Sequence, residues 1–84
     1  MKHLTKQEAI GRMMLAQANL IEENFQSELT WYPSVKQYAL SIYLGNDEDS
    51  PQLPILKHPD FNSSKRYLNE YCSCISYTWD SEIE

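Results

Sequence analysis

Apolar residues recur at helical spacing along the first third of the chain. Stepping 100° per residue from Ile10 places Leu20, Met13, Ile21, Met14, Phe25 and Ala18 on one arc. Glu8, Arg12, Asn19, Glu22, Glu23 and Gln26 fall opposite. Thr5-Lys6-Gln7-Glu8 reads as a capping box, in which Thr5 accepts the Glu8 N–H and the Glu8 carboxylate reaches back to Thr5. Pro33 biases Tyr32 away from helical angles and closes the run. The pattern predicts one long amphipathic helix over 6–29. Gln17 and Asn24 interrupt the arc at heptad spacing from Ile10, so these three share one position of a coiled-coil seam if the helix pairs with a second copy. In a monomer the two amides bond to loops of their own domain instead. Gly11 disfavours a helix interior by about 1 kcal/mol relative to alanine. With Ala18 at the edge of the arc, it points to a close backbone contact.

Two further segments carry mixed signals. Ser34-Val35-Lys36-Gln37 repeats the capping-box pattern, and Val35, Tyr38, Ala39, Ile42 and Tyr43 follow at helical spacing before Gly45. This predicts a short helix over 35–44, against a competing alternation of Tyr38, Leu40, Ile42 and Leu44 that suits a strand. Near the C-terminus, Cys74, Tyr67, Thr78, Tyr71, Ile75, Leu68, Trp79 and Cys72 fill one helical arc, which predicts a third helix over 64–79. The alternation of Tyr71, Ile75, Tyr77 and Trp79 competes as a strand. Between them, 45–62 is a loop with Pro51, Pro54 and Pro59, held down by Leu53, Ile55, Leu56 and Phe61. The expected fold is all-α, three helices with an ordered proline-rich loop. The alternative is α+β, with strands near 37–44 and 71–79.

Length and charge narrow the function. Eighty-four residues make one domain. A chain this short buries only about 60% of its unfolded surface, so self-association is an expected source of stability. The net charge is −5, unevenly spread: Lys2, Lys6 and Arg12 face only Glu8 in the first twelve residues, while the other four basic residues face eleven acids. No base stands between Arg12 and Lys36, where Glu22, Glu23 and Glu28 occur. Acids at a helix end oppose its dipole, so local helix stability does not account for them. Without an apolar leader or a run of membrane length, the chain is expected to be cytoplasmic. Cys72 and Cys74 are then reduced thiols, and with His3 and His58 they make no ligand spacing; no metal or cofactor is expected.

Catalytic motifs are absent. Two glycines, Gly11 and Gly45, cannot build a phosphate loop or a nucleophile elbow, and His58 and Asp60 flank Pro59 with no fixed nucleophile. The acidic turn starting at Asp47 lacks the glycine and terminal glutamate of a calcium loop. A basic footprint for nucleic acid is confined to Lys2, Lys6 and Arg12, so direct nucleic-acid binding is not favoured. The remaining expectation is a small non-enzymatic binding module that masks or inhibits a basic macromolecular partner, such as a toxin or a nucleic-acid enzyme. Glu22, Glu23, Glu28, Asp47, Glu48 and Asp49 would supply charge, and Trp31 and Tyr32 the anchors. The alternative is a homodimeric helical scaffold or chaperone-like protein with Ile10, Gln17 and Asn24 at its seam. No family is recognised across the chain. Trp31-Tyr32-Pro33 and Asp47-Glu48-Asp49-Ser50-Pro51 resemble fragments of the nuclease-colicin immunity proteins, which are small, acidic and helical. The likeness covers those eight residues, and the spacing between them departs from that family, as does the long first helix.

Overall fold

The helix begins where its capping box stands. Thr5 is the N-cap, its hydroxyl accepts the Glu8 N–H at 3.2 Å, and the Glu8 carboxylate accepts the Thr5 N–H at 3.1 Å. It ends earlier than its apolar period suggests. In this computed structural model, which describes residues 3–45 and 50–80, α1 spans Lys6–Glu22. Asn24 then adopts the left-handed conformation at φ 65°, which asparagine tolerates better than most residues. Asn24 N–H donates to the Ile21 carbonyl and Phe25 N–H to the Leu20 carbonyl, the double bond of a Schellman stop. Phe25 packs on the core at the turn, completing the motif.

Beyond that stop the chain is a sheet. The strands are β1 (Gln26–Tyr32), β2 (Gln37–Gly45), β3 (Phe61–Asn69) and β4 (Cys72–Asp80), with one turn of 3-10 helix at Pro54–Leu56. All neighbours are antiparallel, in the order β1-β2-β4-β3. The fold is therefore α+β, and the three-helix expectation is wrong in three places. Residues 26–29 belong to β1 rather than to the first helix. The predicted helix over 35–44 is β2. The predicted helix over 64–79 is the β3–β4 hairpin, turning at Glu70 and Tyr71, where the Asn69 side chain accepts the Tyr71 N–H at 2.7 Å.

The period of two decides which side chains meet. Tyr38, Leu40 and Ile42 of β2 stand opposite Trp79, Tyr77 and Ile75 of β4, and this face lies under α1. From the helix come Ala9, Met13, Ala16 and Leu20, all fully buried. Leu53 and Leu56 cover the remainder beside Leu4 and Phe61, so the proline-rich loop is anchored by its apolar residues. The helix thus buries a face centred on Ala9 and Ala16. Met14 and Ile21, read as core by projection from Ile10, point outward at 58% and 68% exposure. An added Cβ at Gly11 meets nothing within 4 Å, so no close contact within the domain explains that glycine. Among the described residues no helix is long and apolar enough to cross a membrane.

Candidate functional site

α1 is apolar on more than its buried face. Two contacts fix how it lies on the sheet. Arg12 Nη1 donates to the Ile55 carbonyl at 3.2 Å, turning that side of the helix toward the proline-rich loop. Gln17 Nε2 approaches the Ser27 hydroxyl of β1 at 3.4 Å, turning the other side toward β1, a margin of the sheet. Ile10, Met14, Gln17 and Ile21 succeed one another at steps of four, three and four residues, so they form a single stripe along that β1 flank. Leu15 is also 58% exposed, but it lies on the opposite shoulder.

The flank is continuous with β1 itself. Ser27, Leu29 and Trp31 share the helix side of the sheet, since they stand opposite Ile42, Leu40 and Tyr38. Trp31 stacks on Tyr38 with ring centroids 4.4 Å apart yet remains 41% exposed. Tyr32, 47% exposed, follows on the other face. The two expected anchor residues are therefore divided by the strand that carries them. Of the proposed seam, Ile10 and Gln17 lie on the flank. Asn24 does not, because it sits in the left-handed turn after the helix.

The acidic residues are dispersed in the same way. Glu22 and Glu23 are exposed at the end of α1, and Glu28 belongs to the face of the sheet away from the helix. There the Tyr43 hydroxyl donates to Glu28 Oε2 at 3.3 Å, and the Glu28 charge holds the Tyr43 phenol above its ordinary pKa. Asp47, Glu48 and Asp49 lie outside the described residues. That second face is polar, with a shallow depression of about 310 Å³ whose floor includes Ser41, Ser76 and Thr78. Ser41 and Ser76 hydroxyls satisfy each other at 3.0 Å. Cys72 and Cys74 are free thiols, the latter fully buried. No group of three or more potential metal ligands occurs among the described residues.

His58 and Asp60 have a structural task. Asp60 is buried, its Oδ2 accepts the Leu4 N–H at 2.7 Å, and its Oδ1 accepts His3 Nδ1 at 2.8 Å. His58 Nδ1 accepts the Asp60 N–H at 3.0 Å. This clasp ties the entry of α1 to the start of β3, and only the fold brings its partners together. The hydrogen bond from His3 lowers the Asp60 pKa, the Leu4 N–H adds to this, and burial opposes both. A depressed folded pKa gives stability that is complete above the unfolded carboxylate value of about 3.9 and is lost as pH falls through the lower folded value. Urea unfolding from neutral to strongly acidic pH should show Asp60→Asn less stable than wild type at neutrality, with the gap closing below pH of about 4. Parallel stability curves would remove Asp60 as a source of acid sensitivity.

No protein-family model matches this chain, and neither does any curated protein or solved structure.

Proposed function

We propose that the protein is a non-catalytic scaffold that works as a homodimer, with α1 at the seam. One observation carries this reading: α1 buries Ala9, Met13, Ala16 and Leu20 while leaving Met14 and Ile21 exposed along its β1 flank. A helix that is apolar beyond its core-facing stripe belongs in a larger interface, and contiguous exposed apolar surface marks association sites. A domain of this size also has little stability to spare, which pairing would supplement. Light scattering after size exclusion, from micromolar to millimolar protein, should give a mass approaching twice 9.9 kDa. A mass of 9.9 kDa at every concentration overturns the reading.

A second reading is a binder that masks a basic partner, and the exposed Glu22 and Glu23 together with the net charge of −5 favour it. The helical architecture implied by the likeness to immunity proteins does not support it, since the chain is α+β. Electrostatic capture of a polycation such as polylysine should weaken steeply with salt, because the Debye length shrinks from about 10 Å at 0.1 M to about 3 Å at 1 M. Capture indifferent to salt and to Glu22→Lys with Glu23→Lys would leave these acids a role in solubility only.

A further inference from the structure

The sheet has two margins, and they are built differently. β3 is exposed along its length after Phe61, carries Lys65 and Arg66 side by side, and is broken in register between Tyr67 and Asn69. Positive charge and a bulge are the usual means by which a free strand margin is kept from pairing. β1 has neither. It pairs with β2 in unbroken register from Gln26 to Tyr32, contains no lysine, arginine or proline, and bears one charge, Glu28. Every second N–H and C=O of an outermost antiparallel strand points away from its neighbour. Those of β1 lie directly beside the apolar flank of α1.

We infer that two copies of the chain join along β1, forming one continuous eight-stranded sheet with the two α1 helices side by side on the same face. This rests on the homodimer reading and specifies its geometry. A twofold axis perpendicular to the sheet runs β1 antiparallel to its copy and sets the start of α1 beside the end of the other helix. Arg12 and Glu22 lie on the shoulder of Leu15, away from this junction, so no like charges from them meet across it. Ile10, Met14 and Ile21 meet their counterparts over the new junction, continuous with Leu29 and Trp31. The β3 margin offers no such solution, because a twofold axis there brings Lys65 and Arg66 toward their own copies.

Amide hydrogen exchange read residue by residue tests this without altering the protein. At concentrations where light scattering reports a dimer, the outward amides of Gln26–Tyr32 should exchange on the order of a hundredfold slower than open-chain amides. Dilution into the monomer range should abolish that protection, while the alternate amides bonded to β2 stay protected. Outward β1 amides exchanging at open-chain rates within a confirmed dimer would overturn the β1 junction and leave the scaffold reading standing. Protection that persists undiminished in the monomer would show that another segment of the same chain covers β1, and would also overturn it. A monomer at all concentrations would end both.

Discussion

Trp79→Ala should leave the domain largely unfolded at physiological temperature, while Trp79→Phe should fold nearly as well as wild type. Trp79 is fully buried near the end of β4, opposite both Tyr38 of β2 and Phe61 of β3. It is the bulkiest of the fully buried side chains. Truncating such a residue costs about 3–5 kcal/mol through lost burial and the cavity left behind. At about 0.05–0.15 kcal/mol per residue, a chain of 84 residues has roughly 4–12 kcal/mol in total. Phenylalanine keeps most of the packing and removes a liability, since the indole Nε1 is buried without a hydrogen-bond partner among the described residues. An unsatisfied buried donor costs about 1–3 kcal/mol, comparable to the loss from the smaller ring. Urea midpoints should therefore place the phenylalanine variant within about 1.5 kcal/mol of wild type. If it is as damaged as the alanine variant, the indole N–H has an essential partner.

The second large effect is on assembly rather than folding. Met14→Glu combined with Ile21→Glu should weaken self-association a hundredfold or more, about 2.7 kcal/mol, by placing four carboxylates at a twofold junction. Both side chains are more than half exposed, so the circular dichroism and urea midpoint of the monomer should barely move. Leu15→Glu is the matched control. Its side chain is as exposed as that of Met14 but lies on the shoulder away from β1, so it should leave the dimer intact. Equal damage from Leu15→Glu would place the seam on the crown of the helix, away from the sheet margin.

The sequence carried some of this clearly and some ambiguously. The capping box at Thr5 and Glu8 is a local signal, its partners being three residues apart, and it forms as read. The helix stop was also local: Asn24 followed by Phe25, with Leu20 five residues before it, has the composition of a left-handed stop closed by an apolar contact. It was outweighed by a helical period running through the same residues. For Tyr38–Leu44 and Tyr71–Trp79, helix and strand patterns fit one string of residues, and pairing between distant segments decided between them. Ser41, Ser76 and Thr78 are the outward half of a period of two, a pattern that only the pairing of β2 with β4 makes visible. The buried arc of α1 was displaced because projection centres on the bulkiest residues. The sheet instead accepts Ala9 and Ala16 together with Met13 and Leu20, and leaves Met14 and Ile21 outside. Neither the Asp60 clasp nor the contrast between the two margins could be read in advance, because each depends on which strands neighbour which.

The strand order has a kinetic meaning as well. β1–β2 and β3–β4 are hairpins that close over short turns, whereas the central β2–β4 ladder joins residues as far apart as Gln37 and Asp80. Each hairpin gains its contacts early at little loop-closure entropy, but only β1–β2 has α1 beside it in sequence to cover a face, and β3–β4 has none until the other half arrives. The bottleneck in folding is therefore the encounter of two preformed halves across a long connecting loop, as expected of a chain dominated by non-local pairings. Until that encounter, the inner margins of β2 and β4 are bare, and at high concentration the half of one molecule can meet the complementary half of another.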